Sequence, residues 1–423
     1  MRLPNNGRIA IIDDLWEEAG PLFSVFSKKG IPSLYFDGKL INLPKNPIAG
    51  LRFLFLDLDL KGMPKSTGNG GIKNMASYAA GVVTRLVDES NGPFVIIFWS
   101  KHSKDGEIIK RVLLNCKKKG VIPSIYVDME KHMCKTRAGV YSLSLISKNL
   151  KKKLSNIGAF QLYVEWENLI HTASTEFVRD FSRHVPLGTD WSEQTGALFH
   201  KLYMAYVGPK NKISSSVRQF RCACNLLNRS FQETLQNLSH ERLSLPSGFK
   251  LNHGVVKNEI VAKINSSLFF NTNFRSKPAT GYIYEENNVS IRRALKRIVF
   301  KKRKPPHGSK LCKIVITPEC DIAQDKLLHA PRKVHRVVYG LLFPKSQDRR
   351  SKGSSPQSEF LIGPFWNDDK EYLFVFHFST INFQSESEFL SSPLFSIKRD
   401  LMFDLQSKAA NHVNRLGNFQ LSV

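Results

Sequence analysis

At 423 residues, with 42% hydrophobic and 11% aromatic side chains, the chain has the length for two or three domains and enough apolar surface for real cores, which excludes a disordered tail. A formal net charge of +26 points to a polyanionic partner such as nucleic acid or an anionic surface, and says nothing about fold. Six cysteines without a CxxC pair exclude a disulfide scaffold, and there is neither a cleavable leader nor an apolar run of about 18 residues, so the expectation is a cytoplasmic protein with no membrane span.

The charge is unevenly placed. Residues 1–134 carry 19 basic and 13 acidic side chains, which leaves +20 of the net charge beyond residue 134. Within that near-neutral front, apolar runs alternate with helix-length segments. Strand 8–12 ends in Asp13-Asp14 and is followed by a helix over 15–29. A strand over 31–36 and another over 51–58 come next, the latter running into Asp57 and Asp59. A Gly-rich connection at 65–71 leads to a helix at 72–89, strand 94–99 ending at Ser100, helix 105–119 and strand 122–127. Runs too short for helices and too apolar for surface strands read as buried strands of a parallel sheet, so the expected fold is a doubly wound α/β module. Ligand sites of such sheets lie at the carboxyl ends of the strands, where these acids fall. A plainer role is open to Asp13, which can cap the helix beginning near Leu15.

Asp13, Asp14, Asp57 and Ser100, in strand order, resemble the receiver domains of two-component signalling. The resemblance implies a flavodoxin-like fold over 1–134, Mg²⁺ held by Asp13, Asp14 and Asp57, Asp57 as phosphoacceptor and Ser100 as the switch residue after the fourth strand. It departs at strand five: Val127-Asp128-Met129-Glu130-Lys131 puts Asp128 where receivers carry a lysine, leaving Lys101 or Lys131 to swing in. Three carboxylates within about 5 Å repel by about 3 kcal/mol per pair at an effective dielectric near 20, so such a cluster needs a cation. The expectation is a divergent receiver or pseudo-receiver.

From residue 140 the pattern turns helical, which predicts a helical domain over 140–240. Leu143, Ile146, Leu150 and Leu154 share one face. Tyr163, Trp166, Ile170, Ala173, Phe177 and Phe181 mark a second helix, Leu198, Leu202 and Tyr206 a third, and Val217, Phe220, Cys224, Leu227, Phe231 and Leu235 a fourth. These stripes read as core. Glu165, Glu167, His171, Arg183, His184 and His200 have no spacing that specifies a nuclease, and Cys222 and Cys224 are too close for a usual zinc pair, reading as one buried and one exposed thiol.

Residues 246–423 read as a basic β-rich domain. Ile291, Ala294, Leu295, Ile298 and Val299 lie on one helical face and Arg292, Arg293, Lys296 and Arg297 opposite, continued by Lys301, Lys302, Arg303 and Lys304. Residues 287–318 hold ten basic side chains and no acid, an electrostatic footprint for phosphates. Strands follow at 313–316, 336–343, 360–362 and 372–378. Two islands, Thr317 to Lys326 with Cys320 and Asp321, and the last helix ending Asn414-Arg415-Leu416-Gly417, resemble a C-terminal domain of bacterial conflict and phage-defence proteins. That resemblance gives no catalytic role. From chemistry alone, Cys320 with His329 and His335 could bind metal or form a nucleophile pair, against the plainer reading of a packed turn cysteine.

The expected function is regulatory: an adaptor rather than an enzyme, coupling a signal from a histidine-kinase-like ATPase or a ligand to nucleic-acid or defence-effector binding. The alternatives are a response regulator phosphorylated at Asp57, and a nuclease or hydrolase with its site in the helical or C-terminal region.

Overall fold

The computed structural model describes residues 4, 8–60, 69–103, 105–155, 157–183, 188, 190–208, 215–245, 254–271, 277–301, 306–318, 322, 334–348 and 357–416. By internal contact the chain divides into two units, Met1–Tyr206 with Ser215–Asn252, and Val207–Ser214 with His253–Val423.

In the first unit, β1 (Ile9–Ile12), β2 (Leu34–Phe36), β3 (Phe53–Leu56), β4 (Val95–Ser100) and β5 (Ile125–Glu130) form a parallel sheet in the order 2-1-3-4-5. Every residue of β1, β3 and β4 is buried. This is why these strands are continuous apolar runs: helices cover both faces of the sheet. Side chains alternate between two cores. Ala10, Ile12, Leu54, Leu56, Ile96 and Phe98 pack against α2 (Asn69–Leu86) and α3 (Gly106–Lys118). Ile9, Ile11, Phe53, Phe55, Ile97, Trp99, Val127 and Met129 face α1 (Trp16–Ser27) and α4 (Leu143–Leu154). Between β2 and β3 lies only a 3-10 turn, Leu40–Asn42.

Strand five differs from its sequence reading by three residues. Pro123 has no N–H for the ladder, and Ser124 is already tied to the Phe94 carbonyl, so β5 begins at Ile125 and runs to Glu130. That shift decides the site described below.

The helices after residue 140 form as expected, and α4 buries Ile146, Leu150 and Leu154 against the sheet. Helix α5 (Gly158–Ser182) differs in its face. Phe160 and Val164 join the sheet core, whereas Tyr163 and Trp166 are exposed. Its later part turns Leu169 and Ala173 toward Leu238 of α7 (Ser216–Arg242), so one helix serves two cores. A ladder of Phe177, Phe181, Phe199 and Phe220 links α5 and α7 to α6 (Trp191–Val207). At the amino ends of the strands, Glu167 of α5 accepts a bidentate pair from buried Arg52, 2.8 and 2.6 Å, and meets Arg8 at 2.7 Å.

The second unit is an antiparallel sheet in the order β10-β11-β9-β8-β7-β13-β6, with β12 paired to β9. Its strands are β6 (Phe270–Asn271), β7 (Tyr282–Glu286), β8 (Lys310–Val315), β9 (Val334–Pro344), β10 (Glu359–Asn367), β11 (Lys370–His377), β12 (Asn382–Ser385) and β13 (Phe395–Ile397). One face carries Phe270, Phe365, Phe374 and Phe376 and is covered in part by α10 (Arg399–Leu416) through Met402, Leu405 and Ala409. The other takes Leu295, Val299 and Phe300 of α9 (Val289–Phe300). Helix α8 (Asn258–Phe269) is tied to β10, Asn265 donating to the Pro364 carbonyl at 2.7 Å. No described helix is long and apolar enough to cross a membrane.

Candidate functional site

The carboxyl ends of β1, β3 and β4 turn away in the same manner. Asp13 Oδ1 accepts from the Leu15 amide at 3.0 Å, Asp57 Oδ1 from the Asp59 amide at 3.2 Å, and Ser100 Oγ from the His102 amide at 3.2 Å. Each side chain thus closes a local turn with its own backbone two residues on. In both aspartates this fixes one oxygen and aims Oδ2 at a common point. The capping role read for Asp13 is not found: Leu15 is the N-cap of α1 and no side chain caps it, so Asp13 holds only the turn before the helix, and its other oxygen remains for the site.

That point is the ammonium of Lys131. Its Nζ lies 2.7 Å from Asp13 Oδ2, 2.5 Å from Asp57 Oδ2 and 2.6 Å from Glu18 Oε2. The lysine is 1% exposed. An ammonium has three donors, and here three carboxylates surround it. The contact with Asp13 is close but poorly aligned for a hydrogen bond, so we count it as an ion pair. Glu18 also reaches Lys101 through Oε1 at 3.1 Å.

The expectation that strand five presents an acid in place of a lysine is therefore corrected. Because β5 ends at Glu130, Lys131 is the first residue beyond it, and the period of two puts it on the side of Val127 and Met129, where α1 packs. Asp128 sits in the strand, a position out of phase with Lys131, and pairs with Lys153 of α4 at 2.9 Å. Lys101 touches the site only through Glu18, with a side chain 58% exposed.

The electrostatics follow from burial. Burial raises the Asp13 carboxyl to about 6, helped by the Asp57 charge and opposed by Lys131. Burial alone would lower Lys131, but Asp57 and Asp13 outweigh it and hold the ammonium well above its ordinary value. Burial also raises Glu18, but the bonds and charges of Lys131 and Lys101 prevail and keep it below the usual carboxylate range. Tyr141, whose ring lies 5.9 Å from that of Trp99, is pushed up by burial and by the Glu18 charge.

Asp13, Asp14 and Asp57 each offer an oxygen within 4.8 Å of the others, a grouping that could hold a metal ion. The donors are all hard carboxylate oxygens, the donor type that small dications take. The residues fit a small dication such as Mg²⁺.

The sequence reading missed Glu18. A signal existed: Glu18, Ala19, Leu22, Val25 and Phe26 make up one buried helical stripe, so an acid sits on the apolar face of α1 while Glu17 takes the solvent. Glu167, considered as part of a nuclease constellation, is instead the partner of Arg52 and Arg8. Cys222 and Cys224 are both half-buried, where one buried and one exposed thiol was expected.

Of the described basic residues in the stretch at 292–304, Arg293, Arg297 and Lys301 are exposed. Arg292 does not join them: it is half-buried and donates to the Ser309 carbonyl. Burial and the neighbouring Arg292 charge lower Lys296. His335 is buried with its ring edge-on to Phe389 at 5.5 Å. Lys302, Arg303, Lys304, Cys320, Asp321, His184, His329 and most of the Gly-rich connection lie outside the described residues. No family model matches this chain, and no curated protein matches it.

Proposed function

We propose that the front of the chain is a divergent receiver-type regulatory module, in which Asp13, Asp14 and Asp57 hold Mg²⁺ and Asp57 accepts a phosphoryl group. The basic second unit would carry the output by binding nucleic acid or a protein effector. The observation that carries the reading is the Lys131 ammonium between Asp13 and Asp57, at the carboxyl end of a parallel sheet ordered 2-1-3-4-5, where doubly wound folds place their ligands. It supplies the cation that the sequence alone put in doubt.

In this reading Asp57 attacks the phosphorus of a donor such as a phosphohistidine on a kinase-like partner. A bond forms between an Asp57 carboxylate oxygen and phosphorus as the bond to the leaving nitrogen breaks, and that nitrogen keeps the electron pair. Bound Mg²⁺ would neutralise charge on the phosphoryl oxygens. Lys131 starts on Asp57 and is placed to pair with the new phosphoryl group, and Ser100 lies at the end of the neighbouring strand.

The test is incubation of the full chain with a small-molecule phosphodonor and Mg²⁺, read by intact mass. Wild type should gain one phosphoryl group and Asp57→Asn none; no gain in wild type sinks the reading. A pseudo-receiver is the second reading, favoured by one observation: Lys131 already meets three carboxylates and so puts a positive charge at the centre of the pocket without a metal. It requires that wild type bind no Mg²⁺.

A further inference from the structure

Glu18 is the part of the site that neither the acidic cluster nor the phosphoacceptor explains. It stands on α1, not at a strand end, and it is buried while its neighbour Glu17 is exposed. An acid is favoured in a first helical turn by the helix dipole, which would place either glutamate there. The dipole does not account for turning one of them into the core. Glu18 is instead held by two lysines from two loops, Lys131 after β5 on one oxygen and Lys101 after β4 on the other.

Consider what a dication would do to this arrangement. It would compete for the carboxylates of Asp13 and Asp57, which Lys131 contacts. A lysine with only those two partners would have to leave a buried position when they were taken. Glu18 is a third partner, beyond the set of acids that could hold the metal, at 2.6 Å from the same Nζ. The formal charges close as well: the four carboxylates of Asp13, Asp14, Asp57 and Glu18 are balanced by Lys131, Lys101 and one dication together. Without Glu18 the pocket would carry excess positive charge when the metal and both lysines are present, and a lysine would be driven out.

We propose that Glu18 is the berth of Lys131: it keeps the ammonium inside the site when a divalent cation occupies Asp13, Asp14 and Asp57, so that lysine and cation are held together. The proposal rests on the reading of that cluster as a Mg²⁺ site. Glu18 is thus a positioning residue, acting on the phosphoacceptor through Lys131.

The experiment is competitive amine labelling of the full chain with a small acylating reagent, with the rate at Lys131 read by peptide mass in EDTA and in saturating Mg²⁺, alongside Mg²⁺ binding by calorimetry. In wild type, Lys131 should be labelled equally slowly in both conditions. In Glu18→Gln, Mg²⁺ should raise the rate at Lys131 tenfold or more, because the lysine is displaced with nowhere else to go. Release of Lys131 by Mg²⁺ in wild type, which needs no variant to observe, overturns the berth. So does a Lys131 that stays protected in Glu18→Gln with Mg²⁺ bound. Absence of Mg²⁺ binding by wild type refutes the metal-site reading itself, and the berth with it, and calorimetry separates that failure from the other two.

Discussion

Replacing Lys131 with methionine keeps most of the side-chain volume and removes the charge, leaving Asp13, Asp57 and Glu18 around an apolar tip. The ammonium is 1% exposed and 2.5 to 2.7 Å from three carboxylate oxygens. Removing one partner of such a buried group costs about 3–5 kcal/mol, because the charges left behind cannot reach water. For a unit of this size that is a fall in Tm of about 6–20 °C. Thermal unfolding at pH 8 in EDTA should show it. At pH 5 the loss should shrink, since Asp13 already takes a proton near pH 6 in the wild type and would do so more readily without the lysine. Saturating Mg²⁺ at pH 8 should also shrink it, by supplying the missing positive charge. A Lys131→Met protein that melts within about 2 °C of wild type at pH 8 in EDTA, on the same scale, would refute the electrostatic account of this site.

Other consequences can be checked separately. The folded Asp13 carboxyl titrates near 6 against 3.8 in an unfolded chain, so its contribution to stability is present below pH 3.8 and lost as pH rises through 6; in a metal-free pH series this amounts to about 3 kcal/mol, and it should vanish in Asp13→Asn. Glu167 has the opposite sign. Burial raises it, but Arg52 and Arg8 together hold it below the usual value, so its stabilisation is present above its unfolded pKa and lost as pH falls, and acid unfolding of Glu167→Gln should lack that component. Gly340 on β9 has no room for a methyl group, since a Cβ would come within 2.6 Å of the Val375 carbonyl oxygen and of the Phe376 ring; Gly340→Ala should cost at least about 2 kcal/mol in denaturant unfolding, and a neutral result would show that β9 and β11 can part. In the second unit, Arg293→Glu with Arg297→Glu should weaken nucleic-acid binding and flatten its salt dependence without loss of stability, whereas Arg292→Ala should lower stability through the lost bond to Ser309; equal effects on binding would refute the division.

The strand runs and their order along the chain were legible in the sequence, because strands buried on both faces must be continuous apolar segments. So were the acids at their carboxyl ends, since a charge ends such a run. The stripe of α4 was legible too. The face of α5 was not, because a period of 3.6 shows that apolar residues align but not which neighbour they meet, and this helix meets the sheet at Phe160 and α7 at Leu169.

The site divides in the same way. By itself, the sequence determined that Asp13, Asp14, Asp57 and Ser100 lie near the carboxyl ends of parallel strands. Only the tertiary structure decided which cation answers them. Successive residues of a strand point to opposite sides, so moving the end of β5 by three residues changes which side its next residue takes: a strand read as ending at Val127 presents Asp128, and a strand ending at Glu130 presents Lys131. The partner of that lysine, Glu18, lies 113 positions away on a helix, and no local pattern links them. Their pairing is fixed by burial: once the sheet and α1 close over both groups, each charge needs opposite charges beside it, and each finds one in the other.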